Sequence, residues 1–407
     1  MGERFRNWSG SLSFEHDRRA RPSTESDLRG IVYDARANGR TVRPVGSGHS
    51  SVPLVQTSDV LVDFEHLSGL REASTHSMTA SLLPGTPLEA AGEILADHGL
   101  GMENLGDVAY QTVAGAVSTG THGTGRTLGN MSSTLVGGRL VIGTGEVVPF
   151  GTEAGTDGTD DLTRAAQVAL GSLGMFSSLT LRVLDRYQLH RRNVIAGADW
   201  MIDHFTELLN RHRHVDFYWY PRRDEVKLRI MDRPDEAVEL LAPVREVKAR
   251  ETGQSHQIIT NARDLRFEEM EYMFPLERGM EIFEQVRQRI MDRHRHYVGW
   301  RVLVRSIAPD NAMLSNCNAG PTMTIALLQN HNLEYAPYFD DLEPLFLEYG
   351  GRPHWGKKHS QSAASLRTMY PEWDAFHEIR RRLDPDAVFM NDYLRTLFDG
   401  DDGGAGL

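Results

Sequence analysis

The alternation of apolar and polar positions predicts an α+β fold. Short apolar runs at 41–45 and 59–63 alternate with a segment of helical spacing at 25–38. Residues 179–184 repeat with the period of a strand, and residues 135–148 predict a hairpin that turns near 143–145. Strands and helices therefore alternate through the first part of the chain.

The composition of the chain changes near residue 185, where glycines become rare and the predicted helices become longer. Strands are predicted at 216–220 and 301–306, and charged helices at 276–297 and 371–382. We therefore predict domains over 1–186 and 187–350, a C-terminal segment over 351–398 and a disordered tail over 399–407. Between the early elements, residues 99–129 are so rich in Gly, Thr, Ser and Ala that no regular helix is predicted there.

Composition narrows the class of protein. The 407 residues are 40% hydrophobic and 25% charged, which is typical of a folded globular chain. A net charge of −12 argues against a nucleic-acid partner. The single cysteine, Cys317, excludes an intrachain disulfide and favours the cytoplasm, and no apolar run of the ~18 residues that span a membrane is present.

A Gly-x-Gly turn follows the apolar run at 41–45. A dinucleotide-binding fingerprint would need a third small residue and a helix at position 51, but Ser51 is followed at once by Val52 and Pro53. The turn Gly46-Ser-Gly-His-Ser50 can still bind an anion through successive backbone N–H groups, or it can be simply a tight turn.

Two further glycine-rich segments strengthen the case for a ligand. In Val113-Ala-Gly-Ala-Val-Ser-Thr-Gly-Thr-His-Gly-Thr-Gly125, only His122 is larger than valine, so backbone can approach an extended pyrophosphate closely. A third such turn, Leu170-Gly-Ser-Leu-Gly-Met175, precedes a predicted strand.

These three segments, in this order, resemble the vanillyl-alcohol-oxidase class of flavoproteins. Arg352-Pro-His-Trp-Gly-Lys357 and Asp384-Pro-Asp-Ala-Val-Phe-Met-Asn391 make the chain similar to the sugar-lactone and alditol oxidase branch of that class, over about residues 20–398. The resemblance implies a two-subdomain FAD-binding domain over 1–186, an α+β substrate (cap) domain with an antiparallel sheet over 187–350, and a C-terminal segment that returns to the flavin.

The resemblance also implies how FAD is held. Position 49 is where this branch places its flavin-linking histidine, so we expect a covalent bond from His49, with His122 as the rival and a plain hydrogen-bonding histidine as the simplest alternative. The residues expected to bind FAD are Gly46, Ser47, Gly48, His49, Ser50, Gly115, Ser118, Thr119, Gly120, Thr121, His122, Gly123, Gly125, Gly171, Gly174 and Asn391.

Four residues are candidates for catalysis, two of them as alternatives for one role. The resemblance places Lys357 beside the flavin edge that becomes negative on reduction, and Arg305 at the substrate. If 354–359 is extended, Lys357 and His359 lie on one side and His354 on the other; His354 or His359 is then a candidate proton acceptor.

The strand at 301–306 carries a departure from the branch. Its alternation puts Arg301, Leu303 and Arg305 on one face and both valines on the other. Relatives usually have Glu-x-Arg here, so Leu303 predicts a less hydroxylated or differently charged substrate.

Other candidates are weaker. The pairs His212/His214 and His294/His296 lie among arginines on predicted helices, which opposes a metal site, and Cys317 has no basic partner nearby in sequence. We therefore predict no metal and no catalytic thiol. The expected activity is oxidation of a carbinol of a sugar-derived lactone, polyol or related small molecule, with O₂ as acceptor. The alternatives are a dehydrogenase with another acceptor and a flavin-binding module without catalysis.

Overall fold

The structure is a computed structural model that describes residues 3–236, 238–241, 245–246, 251–261 and 265–400. From residue 401 onwards, the predicted tail lies outside the described residues. Within these ranges, no helix is long and apolar enough to cross a membrane.

The first part of the chain is built from small sheets. Strands β3 and β4 both run parallel to β5, and β10-β9-β11-β7-β6 form an antiparallel sheet. The N-terminal β1 and β2 form a separate hairpin, and β8 pairs with β12. The strand bounds are β1 Glu3–Arg6, β2 Ser13–His16, β3 Arg18–Ala20, β4 Val42–Val45, β5 Val60–Asp63, β6 Leu70–Ser74, β7 Thr79–Leu82, β8 Leu100–Gly101, β9 Leu135–Val141, β10 Val147–Gly151, β11 Met175–Arg182 and β12 Leu184–Asp185. The helix bounds are α1 Glu25–Ala37, α2 Leu88–Asp97, α3 Val113–Ser118 and α4 Asp161–Ala166.

Helix α1 forms where the spacing predicts it. Thr24 and Asp27 make a reciprocal capping box at its start, and an apolar stripe is buried along one side. That stripe packs on the parallel strands. The hairpin predicted at 135–148 is also confirmed as β9 and β10.

Helix α3 contradicts the prediction that 99–129 contains no regular helix. Its N-terminus is capped by the Thr112 hydroxyl, which accepts from the Gly115 N–H at 3.3 Å, and Val113, Ala116 and Val117 are fully buried. Capping and burial outweigh the cost of the single glycine inside a helix of only six residues.

The second part is dominated by one large sheet, which has nine strands within the described ranges. Its order is β16-β13-β15-β14-β19-β20-β18-β21, and β17 also pairs with β13. The strand bounds are β13 Gln188–Gly197, β14 His214–Tyr220, β15 Glu225–Asp232, β16 Arg245–Glu246, β17 Glu251–Gln254, β18 Phe267–Pro275, β19 Val302–Ile307, β20 Thr322–Asn330 and β21 Arg352–Pro353. The helix bounds are α5 Ala198–Arg211, α6 Ser255–Ile259, α7 Gly279–Arg289, α8 Ala336–Glu348, α9 Ala363–Met369, α10 Trp373–Leu383 and α11 Asp392–Phe398.

The two faces of the large sheet differ. One face packs under α5, α7 and α8 in a hydrophobic core that includes Val302 and Val304. The alternate residues Leu303 and Arg305 point away from that core, as the period-two pattern predicts. This second face of the sheet forms one wall of the site described below.

One sequence-based assignment in this part needs refinement and another is wrong. The segment predicted as a helix at 276–297 is helical from 276 to 294, but only α7 is α-helical, between a 3₁₀ turn over Leu276–Arg278 and a π-helical turn over Ile290–His294. His214 begins strand β14, so it does not lie on a helix, and its Nδ1 bonds to the Thr124 carbonyl at 2.8 Å.

Candidate active site

A cavity lies among the glycine-rich segments. Five groups of residues line it, from the N-terminal hairpin, the 43–50 turn, the 54–64 loop, α3 with its cap, and the 170–176 turn.

The backbone around Gly46 and Gly48 is shaped by the absence of side chains. A Cβ at Gly46 would lie 2.3 Å from the Thr112 Oγ1, and Gly48 has φ +67°, which favours glycine. The 43–50 turn therefore lies close against the start of α3. This close approach leaves a groove lined by backbone and hydroxyl groups, which fits the pyrophosphate of FAD.

The N-terminal hairpin is a wall of this cavity that the sequence analysis missed. Phe5, Asn7 and Leu12 line the cavity, the Trp8 N–H donates to the Gly48 carbonyl at 2.8 Å, and the Asn7 amide donates to the Ser50 carbonyl at 3.1 Å. The period-two signal of two four-residue strands is too short to assign such a role.

Most of the expected FAD-binding residues line this cavity or the one beside it. Ten of them line the first cavity, and two more line only the second. The ten are Gly46, Ser47, Gly48, His49, Ser50, Gly115, Ser118, Thr119, Gly171 and Gly174, and the two are Thr121 and His122.

Four expected residues lie elsewhere. Gly120, Gly123 and Gly125 line neither cavity; the Gly125 N–H donates to the Ser306 carbonyl at 2.8 Å and so joins the run to strand β19. The Asn391 amide donates to the carbonyls of Pro53 and Gln56, at 2.9 and 2.8 Å, and stabilises the loop behind the cavity.

A second cavity adjoins the first, and we call it the reaction chamber. Both cavities are lined by His49, Ser50, Gln111 and Thr119, so a ligand can extend from one to the other. The opposite wall of the chamber is the second face of the large sheet.

His49 lies at the junction of the two cavities. Its Nδ1 is 3.1 Å from the Tyr110 hydroxyl, and its ring centroid is 4.7 Å from that of Trp8. His122 lines only the chamber, where its Nδ1 bonds to the Gly123 carbonyl at 3.0 Å. His49 is therefore better placed than His122 to contact a group that spans both cavities.

His354 and Lys357 both line the chamber, which contradicts the extended geometry considered for 354–359. The Lys357 N–H donates to the His354 carbonyl at 3.0 Å, so these residues form a turn that brings its first and fourth positions close together, and both side chains line the chamber. Trp355 is buried in a hydrophobic core and His359 lines another cavity.

Two carboxylates that the sequence analysis missed face the chamber from strand β18. Glu269 pairs with the Lys357 ammonium, and Glu271 lies 3.3 Å from the His122 Nε2. Alternation in Phe267-Glu-Glu-Met-Glu271 puts both on one face of a strand, which is the signal that could have found them.

The pKa of Glu271 is set by opposing causes. Burial raises it, but the neighbouring His122 and the positive charge of Lys357 lower it more, so the pKa lies well below its usual range. Glu271 is therefore an ionised acceptor in a buried site.

His354 is held as a hydrogen-bond donor. Its Nδ1 accepts from the Gly356 N–H at 3.0 Å, and burial lowers its pKa well below the usual value. The ring is neutral, so its hydrogen lies on Nε2.

His122, Glu271 and His354 come within 4.8 Å of one another through potential ligand atoms. This cluster is poorly suited to a metal ion, because neither nitrogen of His354 has a free lone pair and the cations Arg305 and Lys357 line the same chamber.

Carboxylates on both sides balance the positive charge of Arg305. It contacts Asp107 at 2.8 Å and Asp216 at 4.0 Å, and Arg229 contacts the same two carboxylates at 3.1 and 2.6 Å. Burial lowers the pKa of Arg305, but Asp107 and Asp216 raise it more, so the guanidinium stays charged.

The single cysteine of the chain does not belong to the site. Cys317 is fully buried, and burial raises its pKa well above the usual value.

Comparison with known proteins agrees with this geometry. Residues 17–151 match the FAD-binding domain family, and residues 238–397 match the family of D-arabinono-1,4-lactone oxidase. The chain is 33% identical to the L-gulono-1,4-lactone dehydrogenase of Mycobacterium tuberculosis, over 98% of this chain and 99% of that protein. It is 26% identical to an alditol oxidase of a Streptomyces species, over 98% of this chain and 100% of that one.

A solved structure has the same fold. A point variant of cholesterol oxidase from Brevibacterium sterolicum superposes with a TM-score of 0.84 at 14% identity, over 98% of this chain and 97% of that one. This likeness shows the fold alone, which is that of an FAD-binding domain with an α+β cap.

Proposed function

Because the chain belongs to the family of FAD-dependent sugar-lactone and alditol oxidoreductases, we propose that its reaction chamber oxidises the carbinol of a sugar-derived lactone, polyol or related small molecule. FAD, when bound, supplies the acceptor for the hydride of the carbinol C–H. The observation that carries the proposal is the chamber itself, where an ionised carboxylate, a lysine and an arginine face the same space beside the FAD cavity.

Glu271 accepts the proton of the carbinol hydroxyl. It is ionised, it lines the chamber, and it lies beside His122 and not beside solvent. His354 was the candidate for this role, but its neutral ring with hydrogen on Nε2 supports a donor to a substrate oxygen instead.

Lys357 provides positive charge beside the edge of the flavin that becomes negative on reduction. Its ammonium pairs with Glu269, which fixes its position in the chamber. A preorganised charge of this kind stabilises negative charge that develops during the reaction without a cost of reorientation.

Arg305 orients the substrate oxygen, and Asp107 positions Arg305. Asp107 lies on a loop of the first part of the chain, whereas Arg305, Arg229 and Asp216 belong to the large sheet. Asp107 thus connects the sheet to the FAD-binding side and keeps the guanidinium in one orientation.

His49 would hold FAD covalently, and O₂ would be the final electron acceptor. Support for the attachment is the location of His49 at the junction of both cavities, next to Tyr110. A reducing cytoplasm suits a chain with one buried cysteine.

The experiment is anaerobic mixing of the FAD-loaded protein with L-gulono-1,4-lactone, D-arabinono-1,4-lactone and xylitol. We expect the visible absorbance of oxidised flavin to bleach with at least one of them, and readmission of air to restore it with formation of peroxide. Bleaching that only a dye reverses would identify a dehydrogenase, and no bleaching with any carbinol would contradict the proposal.

A further inference from the structure

The wall of the chamber that the large sheet provides is divided into a charged part and an apolar part. The charged part is formed by Glu269, Glu271 and Arg305. The apolar part consists of Phe267, Leu303 and Leu328, and we call these three residues the apolar strip. Ala326 and Tyr218 belong to the same hydrophobic cluster.

Strand register fixes where the apolar strip lies. Leu303 pairs with Ala326, and Ala326 pairs with Glu271, so Leu303 lies in the same cross-strand row as the ionised carboxylate. Leu328 pairs with Glu269 in the next row. The strip therefore begins beside the groups to which we assign the reaction.

The other end of the apolar strip points toward His49. The Phe267 ring lies 5.1 Å from Trp8, and Trp8 lies 4.7 Å from His49, between ring centroids. A ligand held by the charged part thus meets Leu303 and then Leu328 along the middle of the sheet in this direction, with Glu269 at its side.

We propose that the substrate has an oxygen-rich head at the oxidised carbon and a poorly hydroxylated tail that lies on the apolar strip. This inference rests on the proposed function and names the substrate class within it: deoxy or alkyl-substituted lactones and diols, as opposed to fully hydroxylated alditols. A hydroxyl of the tail would lose water without gaining a partner on Phe267, Leu303 or Leu328. Each methylene group that is buried on the apolar strip should raise the binding affinity about threefold, because it is removed from water.

The test compares a series of terminal diols, from 1,2-propanediol to 1,2-hexanediol, with sorbitol and xylitol, by kcat/KM of dye reduction on the FAD-loaded protein. We expect kcat/KM to rise about threefold with each methylene and 1,2-hexanediol to exceed sorbitol by about tenfold or more.

Leu303→Glu should make kcat/KM independent of the chain length of the diol and reduce the difference in kcat/KM between diols and polyols. The matched control is Leu265→Glu, which makes the same change at a side chain that is 63% exposed, and it should keep the wild-type dependence. Flavin content of each variant is measured by absorbance after desalting.

The outcomes separate this inference from the proposed function. The inference would be overturned if kcat/KM stayed constant or fell as the diol lengthened, or if kcat/KM for sorbitol equalled that for 1,2-hexanediol. Either result would leave the proposed function standing. Loss of flavin in Leu303→Glu with an unchanged chain-length dependence would assign the apolar strip to the cofactor and also overturn it. No flavin reduction by any diol, polyol or lactone would overturn both.

Discussion

Leu303 and Glu271 lie in one cross-strand row of the large sheet, with only Ala326 between them. Neighbouring strands are about 4.8 Å apart, so the two side chains face the chamber from positions roughly 10 Å apart. The carboxylate that the family resemblance leads one to expect at position 303 is absent, but a carboxylate is present two strands away. The acidic group of this row thus lies in the chamber with Lys357 and His354, and position 303 contributes hydrocarbon to the wall that carries Arg305.

Glu271→Gln should lower the rate of flavin reduction by ~10²-fold or more, because the amide keeps the shape of the side chain but does not accept the hydroxyl proton. FAD content should be unchanged. The control is Glu268→Gln, on the opposite face of the same strand, whose carboxylate lies 3.6 Å from Lys358. Stopped-flow reduction at the wild-type rate in Glu271→Gln would remove this residue from the reaction.

Lys357→Met should slow flavin reduction by ~10²-fold while FAD remains bound, because its charge is needed as electrons arrive. The adjacent Lys358→Met provides the control, since Lys358 pairs with Glu268 and does not line the chamber. Equal effects of the two substitutions on the rate would show that only the net charge of the loop matters.

His49→Ala should release all flavin into the supernatant on acid precipitation, whereas wild type and His122→Ala should keep their colour with the protein. The reason is that His49 lines both cavities and His122 only the chamber. Colour that stays with His49→Ala, and is lost from His122→Ala, would reverse the assignment.

The sequence carries a clear signal for the glycine-rich wall of the first cavity and little signal for the wall of the chamber that the sheet provides. Glycines such as Gly46 and Gly171 carry their own signal, because the backbone geometry that they allow is local. Glu271 and Asp107 carry no such signal, because their role comes from strand register and from a loop that meets a distant sheet. The turn at His354 escaped prediction for a related reason: alternation applies to extended chain, and only one backbone hydrogen bond decides between the two geometries.

Acid should destabilise the protein through buried histidines. Burial lowers the pKa of His377 to about 3 from an ordinary value of 6.5. Unfolding therefore takes up a proton at any pH between these values, and stability falls as pH falls through that window. His377→Leu, which replaces an imidazole packed among Trp373, Phe376 and Phe398, should reduce the loss of unfolding free energy between about pH 7 and about pH 5 by about 2 kcal/mol.

Urea denaturation of wild type and variant at the two pH values measures that difference. An identical loss in both proteins would show that His377 is not a source of acid sensitivity.

The proposed function requires that a carbinol C–H bond is broken beside Glu271, Lys357 and Arg305 with transfer of hydride to bound FAD. The most direct test is anaerobic stopped-flow reduction of the FAD-loaded protein by one reactive substrate, with hydrogen and then with deuterium at the carbinol carbon. We expect single-turnover bleaching of the flavin that is several-fold slower with deuterium, and slower again in Glu271→Gln. Bleaching at the same rate with both isotopes, or no bleaching by any carbinol, would contradict the account.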